Sequence, residues 1–446
     1  MNNILKAFWG GLAALTLLWL AAAPGVFSAS TLLGLRGFMV QYSGVLAIGC
    51  MSVAMILALR PRWPERWLGG LDKMYRLHKW LGIGALVLAT THWVWSNGPK
   101  WASSLGLLTP GGRPKRAPID DPIQAYLMSF RGIAETVGEW TFYGIVLLIA
   151  ISLVKLIPYR PFKRLHRLLP IAYLAIVFHA VILTDFGYWL TPLGAVLVLM
   201  LAGGSYAAVV SLLGWIGAGR RATGTIATLK SYPGVKALEF TIDVLSGWTG
   251  HKAGQFAFVT SDPKEGAHPY TIASSWCPDA PRIAFVTKAL GDHTSQLERK
   301  LKVGQKVTVE GPYGRFIFDD DRPVQIWIGG GIGITPFIAR MKQLASDVGE
   351  NSKTVHLFHA TKEADEAALA RLEADARAAG IQLHVMIDSR DGQLTGSRIT
   401  QDVPEWRDAS FWFCGPAGFG KMLRDDLAAQ GVPVRQRFHQ ELFEMR

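Results

Sequence analysis

"KMYRLHKWLGIGALVLATTHWVW", residues 73–95, is apolar enough to lie in a bilayer, yet it carries His78 and His92. Ionisable side chains inside a membrane are costly and mark function. The pair has a counterpart: "LHRLLPIAYLAIVFHAVIL", residues 165–183, carries His166 and His179. Fourteen residues rise about 21 Å along a helix and thirteen about 19.5 Å. Either step suits two flat cofactors stacked within a hydrocarbon core of about 30 Å. Neutral imidazole is an axial ligand of haem iron. Two helices running the same way, each giving one His per level, would clamp two b-type haems. The metal ligands would be His78 and His166 at one level, His92 and His179 at the other. Helical phase fits unevenly: fourteen residues fall within about 40° of whole turns, thirteen miss by about 140°. His166 precedes Pro170, where a helix is often only starting. Proton relays and metal transport are the competing uses of membrane histidines. Neither predicts matched spacings, and Glu135, Glu139 and Asp185 lie near span ends rather than mid-membrane.

The surrounding chain is built for a bilayer over its first half. Of 446 residues, 50% are hydrophobic and 18% charged, and the apolar excess is concentrated in residues 1–217. A span needs about 20 apolar residues. Six are expected, at roughly 8–28, 36–59, 75–96, 137–157, 168–190 and 192–215. Basic residues follow span two (Arg60, Arg62, Arg66, Lys73, Arg76), span four (Arg160, Lys163, Arg164, Arg167) and span six (Arg220, Arg221). Positive charge marks the cytoplasmic side, so both the N-terminus and the second half are expected there. The protein is then a multi-pass cell-membrane protein, plasma or inner. The first span also reads as a signal peptide with a small-residue site near Ser28; the topology is the same either way. Membrane topology accounts for the net charge of +12, and no nucleic-acid partner is expected. Cys50, Cys277 and Cys414 form no CxxC pair, which excludes a cysteine zinc site, a cysteine-ligated cluster and a disulfide framework. Arg36, at the outer start of span two, reads equally as a partner for a haem propionate and as an interfacial anchor.

From residue 218 the chain reads as two further domains. "TIATLK", "ALEFTIDV", "QFAFVT", "RIAFVTKAL" and "KVTVEG" are short strands with turns between, predicting a small antiparallel barrel over 218–320. "HPYTIASS" (268–275) ends a strand with Tyr270, able to stack on a flat ring, and Thr271, able to hydrogen-bond to it. "GDHTSQL" (291–297) puts Thr294 at a helix start, an anion site. "GPYGRF" (311–316) is a tight turn that brings backbone close to a ligand. From 321 strands alternate with helices, predicting a doubly wound α/β nucleotide domain. "VQIWIGGGIGITPFIARMKQLA" gives a strand, a glycine-rich turn and a helix whose N-terminus receives a pyrophosphate. Cys414, Gly415 and Pro416, like Ser389 and Arg390, close later strands at the ligand-binding end.

Taken in order, the four histidines, HPYT, GPYG, GGGIGITP and CGP resemble the transmembrane ferric reductase and NADPH oxidase family. The second half resembles the ferredoxin–NADP reductase superfamily over nearly its full length. That resemblance implies an NAD(P)H-dependent oxidoreductase with FAD, two b-type haems and NADPH or NADH. Electrons would leave for a ferric chelate or oxygen on the outer face. A superoxide-generating oxidase, and a subunit donating electrons to a separate extracytoplasmic redox protein, are the alternatives. His268, Pro269, Tyr270, Thr271 and Ser274 would hold FAD, with Thr271 near the flavin N5. Thr294, Gly311 and Gly314 would support the flavin or its pyrophosphate. Gly331, Gly333, Thr335 and Pro336 would cradle the dinucleotide. Cys414 and Gly415 would flank the nicotinamide, Phe443 would cover the flavin, and Ser389 with Arg390 would read a 2′-phosphate. Ser96 stands where the oxidases often carry a further histidine, which favours the ferric-reductase type.

Overall fold

A computed structural model of the chain describes residues 2–106, 119–154, 159–347 and 353–441. The chain divides into two compact units after Ile216, with Gly69–Asp72 grouping with the second.

The first unit is helical. Its elements are α1 (Asn2–Ala22), α2 (Leu32–Ala58), α3 (Trp63–Leu68), α4 (Leu71–Ser104), α5 (Pro122–Ser129), α6 (Arg131–Leu153), α7 (Tyr159–His166), α8 (Leu169–Leu183) and α9 (Pro192–Leu212). Among the described residues, five stretches are long and apolar enough to cross a bilayer: Asn3–Ala22, Leu32–Ala58, Arg131–Leu153, Pro161–Leu183 and Pro192–Leu212. α4 is the longest helix, at 34 residues, but its apolar middle is diluted by Asp72, Lys73, Arg76 and Lys79 at one end and by Asn97 and Lys100 at the other. α1 stops before Pro24, which opens a short 3-10 turn, Pro24–Ser28. α8 stops at Leu183, after which Asp185 caps a second such turn, Phe186–Leu190, through the Gly187 N–H. Trp19, Val45, Ile48, Met55, Tyr173, Leu193, Leu197 and Leu201 form this unit's buried core. Within it the Tyr173 hydroxyl bonds Ser52 Oγ at 2.8 Å.

The second unit holds two sheets. β1 (Arg221–Tyr232), β2 (Ala237–Ser246), β3 (Phe256–Thr260), β4 (His268–Thr271), β5 (Arg282–Lys288) and β6 (Lys306–Tyr313) form an antiparallel sheet of order β4-β3-β6-β1-β2-β5, with the short α10 (Leu297–Lys300) before β6. Its edges meet at a single bridge, Ile272 to Phe285, so the sheet curls back on itself around Ile226, Phe240, Ile242, Ile283 and Phe285.

The other sheet is parallel, of order β11-β10-β7-β8-β9. Along the chain its elements are β7 (Val324–Gly330), α11 (Thr335–Ser346), β8 (Thr354–Thr361), α12 (Glu366–Ala378), β9 (Gln382–Ile387), α13 (Asp388–Asp391), α14 (Gly396–Asp402), β10 (Ala409–Cys414), α15 (Ala417–Ala429), α16 (Val434–Arg437) and β11 (Phe438–Gln440). Alternate strand residues point to opposite faces. Ile326, Ile328, Phe411 and Phe413 pack with α14 and α15. Trp327, Leu357 and Trp412 pack with Phe337 and Met341 of α11 and Leu372 of α12. Helices thus cover both faces, which is why the strands read as continuous apolar runs.

Candidate functional site

In the first unit the four histidines form two facing pairs. The ring centroids of His78 and His166 are 6.1 Å apart, and those of His92 and His179 are 6.2 Å apart. Each ring is anchored through Nδ1. His78 meets the Ala54 carbonyl at 2.9 Å, His92 the Val40 carbonyl at 2.8 Å and His179 the Ala134 carbonyl at 2.8 Å. His166 meets Ser152 Oγ at 3.2 Å. A carbonyl can only accept, so in three of the rings Nδ1 carries the proton and Nε2 keeps its lone pair. That is how an outer partner orients a metal-binding imidazole. A metal ion held between two imidazole nitrogens, each bond about 2 Å long, would need a gap between the rings of this size. Donor type, tautomer and separation all fit a bis-imidazole iron group at each level.

The helix is interrupted between α7 and α8, which removes the phase problem. His166 ends α7 and His179 lies on α8, so the thirteen residues do not follow one continuous helix. Small residues let the rings approach the neighbouring backbone. A Cβ on Gly44 would sit 3.2 Å from His92 Nδ1, and one on Gly138 would overlap the His179 ring. Arg36 is bonded to backbone at the far end of α4. Its Nε donates to the Trp95 carbonyl at 3.2 Å and its Nη2 to the Ser96 carbonyl at 2.8 Å. Pro99 lies inside α4 and has no N–H, so the carbonyl four residues earlier, that of Trp95, loses its helical donor. Arg36 supplies the replacement.

In the second unit HPYT is itself β4. Tyr270 is 8% exposed and turns into the sheet core, edge-on to Phe240 at 5.7 Å. Its hydroxyl meets His293 Nε2 at 2.8 Å, and His293 Nδ1 meets Glu265 at 2.5 Å. Lys300 also bonds Glu265. Lys300 first, then His293, hold that carboxyl down at about 2, while burial pushes the Tyr270 phenol up. His268 stacks on His293 with centroids 3.5 Å apart and planes 4° from parallel. Glu265, His268 and His293 bring ligand atoms within 4.8 Å of one another. Imidazole lone pairs lie in the ring plane, however, so two parallel rings cannot both aim at one ion, and Lys300 already neutralises the carboxylate. The group is an ionic and hydrogen-bonded brace rather than a metal centre.

Pro269 is exposed beside His268, whereas Thr271 is buried at the end of β4. Ser274 Oγ accepts the Ala284 N–H at 3.1 Å, tying the segment to β5. Thr294 turns inward: its hydroxyl accepts the N–H groups of Leu290 and Gly291, both at 3.1 Å. Gly311 and Gly314 take φ of 155° and 100°, at the end of β6 and just beyond it.

The glycine-rich turn behaves as its sequence asks. Gly331 has φ 56°, and a Cβ on Gly333 would overlap the Cys414 carbonyl, so the turn presses directly on the end of β10. Thr335 Oγ1 donates to the Ile332 carbonyl at 2.8 Å, and Pro336 occupies the first turn of α11. Cys414 is fully buried; burial first and the Glu441 charge second push its thiol well above the ordinary value. A Cβ on Gly415 would meet the Gly330 backbone at 3.0 Å. Ser389 and Arg390 lie on α13, and the Arg390 guanidinium is engaged by Asp391, with Nε and Nη2 each 2.9 Å from its carboxylate. Phe443 lies outside the described residues. An open cleft runs between the two sheets, lined by Gly331, Ile332 and Thr361 at the strand ends and by Glu239 and Lys288 opposite.

Sequence reasoning missed His293, which sits inside the quoted GDHT stretch but carries no pattern pointing to Tyr270. It also missed Glu441, 4% exposed, whose partner in Cys414 is 27 positions away.

Residues 43–177 match the family described as ferric reductase like transmembrane component, and residues 225–316 match the family described as FAD-binding domain. An NADPH oxidoreductase of Mycobacterium tuberculosis is 32% identical over 167 residues, covering 36% of this chain and 43% of that one. A flavohemoprotein of Oceanobacillus iheyensis is 25% identical over 189 residues, covering 39% and 46%. The chain spans about half the length of the curated relatives it matches. A solved cytochrome P450 reductase of Amycolatopsis aligns with a TM-score of 0.44 at 21% identity, over 50% of this chain and 70% of that one.

Proposed function

We propose that this chain, which joins a ferric reductase like transmembrane component to an FAD-binding domain, is an NAD(P)H-dependent membrane oxidoreductase that delivers electrons to an acceptor on the outer face. The observation that carries the reading is the geometry of the two histidine pairs: Nδ1 anchored, Nε2 available, centroids 6.1 and 6.2 Å apart. In this reading residues 1–217 are a six-span haem-binding domain, 218–320 bind FAD as a barrel, and 321–446 bind NAD(P)H. The basic segments near spans two, four and six hold the second unit on the cytoplasmic side.

Bound FAD and two b-type haems supply hydride acceptance from NADPH and one-electron transfer. The protein's own residues bind and orient. Gly331 and Gly333 expose backbone N–H groups at the start of α11, where a pyrophosphate is favoured. Cys414 stays an uncharged thiol beside the nicotinamide, with Glu441 next to it. Thr271 offers its hydroxyl to the flavin from the end of β4. His78, His166, His92 and His179 would hold iron through Nε2. No residue is required as nucleophile or general acid. The acceptor is a ferric chelate, in keeping with Ser96.

The test uses the purified full-length protein. Two b-type haems per chain, bleaching of flavin by NADPH without oxygen, and iron reduction insensitive to superoxide dismutase are the expected results. A protein with no Soret band sinks the reading. Iron reduction that superoxide dismutase abolishes moves the acceptor to oxygen.

A further inference from the structure

The glycine-rich turn leads into α11, and Ile334 at the end of the turn with Ile338 and Lys342 of α11, spaced four residues apart, lines the cleft between the two sheets. Lys342 ends this stripe. Its Nζ reaches across the cleft and donates to the Ala273 carbonyl at 3.2 Å. Ala273 is two residues beyond Thr271. It is fully buried and fixed to β5 by its own N–H, which donates to the Ala284 carbonyl at 2.7 Å. The helix that starts the nucleotide site is therefore bonded to the segment that ends the flavin strand.

The charges around Lys342 come from both sides. Glu239 faces it from β2, and Asp375 and Arg371 from α12. Arg371 is itself bonded to Glu239 at 2.8 Å and to the Tyr232 hydroxyl at 3.1 Å. Lys288 and Glu363, paired at 2.8 Å, line the same cleft. The Arg371–Glu239 and Lys288–Glu363 pairs tie β2 and β5 to α12 and to the loop before it. Only Lys342 bonds directly from α11 to the HPYTIASS segment among the hydrogen bonds of the described residues.

Resting on the proposed function, we infer that Lys342 is a positioning residue: acting through the Ala273 carbonyl, it fixes the register of the nucleotide turn against the flavin strand, and so the approach of hydride donor to acceptor. Hydride transfer depends steeply on that approach, since a misplacement of about 1 Å can cost about a hundredfold. Burial lowers the Lys342 pKa below the ordinary lysine value, with Asp375 and Glu239 opposing the shift. The register is held while the ammonium is charged and loosens as pH rises through this lowered value.

The experiment is anaerobic rapid mixing of full-length, detergent-solubilised protein with NADPH, following flavin bleaching. For Lys342→Met, flavin content and the NADPH concentration for half-saturation stay within about twofold of wild type. The limiting bleaching rate falls about tenfold to a hundredfold. Lys342→Arg, which keeps the donor, recovers most of that rate. Wild type loses rate on the alkaline side, below the usual lysine range, and Lys342→Met lacks that limb. An unchanged limiting rate in Lys342→Met overturns the inference. So does a loss confined to NADPH affinity, which would make Lys342 a cofactor ligand. If Lys342→Met fails to fold, Lys342→Ala, which only enlarges the open cleft, takes its place: an unchanged limiting rate there equally overturns the inference. Wild type that binds flavin but is not bleached by NADPH defeats the proposed function, and this inference with it.

Discussion

Gly138→Ala isolates the geometry on which the histidine pairs depend. A Cβ at position 138 overlaps the His179 ring at Nδ1, Cε1 and Cγ. Non-bonded heavy atoms settle at about 3.5–4.0 Å, so the ring must withdraw by about an ångström or more. That movement breaks the 2.8 Å bond from Nδ1 to the Ala134 carbonyl, a loss of about 0.5–1.5 kcal/mol. Overpacking adds about 1–3 kcal/mol. Against this, Ala favours a helix over Gly by about 1 kcal/mol. The net destabilisation is modest, about 1–3 kcal/mol, so the protein should still fold. Ligation is far less forgiving, because metal–ligand distances tolerate only about 0.2 Å. Haem content by pyridine haemochrome should fall from two per chain towards one. Gly144→Ala is the matched control: it lies on the same helix, α6, with nothing within 4 Å of the new methyl, and it should keep both haems. Two haems with unchanged spectra in Gly138→Ala would refute the assignment of His179. Loss of haem in Gly144→Ala would show that α6 tolerates no alanine and that the effect is not specific to the ring.

Three further outcomes are expected. Arg390→Ala raises the KM for NADPH by about tenfold, through loss of a charge-assisted bond to phosphate, and barely changes that for NADH. Asp391→Asn, which releases the Arg390 guanidinium, lowers the KM for NADPH; equal changes for both cofactors in Arg390→Ala remove Arg390 from the 2′-phosphate. Iodoacetamide labels exposed Cys277 before buried Cys414. Only thiolate reacts, and the raised Cys414 pKa shrinks its thiolate fraction at any given pH, so peptide mapping should find Cys414 modified only well above the pH that labels Cys277. Arg36→Met leaves the Trp95 carbonyl short of a donor and costs about 1 kcal/mol, whereas Pro99→Ala returns an N–H to it. A double-mutant cycle by thermal unfolding should therefore show strong coupling, and additive effects would detach Arg36 from the proline.

Local chemistry made much of the architecture legible. Uninterrupted apolar runs expose a bilayer half whatever their packing, because backbone groups in hydrocarbon must be satisfied within the segment. Glycines at 331 and 333 announce a turn that a side chain would obstruct. Four histidines at steps of 14 and 13 residues stand out because imidazole is costly in lipid. These signals lie within single segments, so reading them needs no knowledge of neighbours.

Tertiary structure decided which atoms those residues use. Nothing near His179 in the chain says that its Nδ1 will find the Ala134 carbonyl, or that Gly138 must be bare to allow it. The interruption after His166 set a helical phase that counting residues left open. Arg36 met a carbonyl released by a proline 63 positions away, and Tyr270 turned into the sheet core to meet His293. Hydrogen bonds are short and directional, so such pairings are fixed only when separate helices and strands have packed. A linear sequence records which donors and acceptors exist, and the folded chain alone determines which of them come within 3 Å of one another.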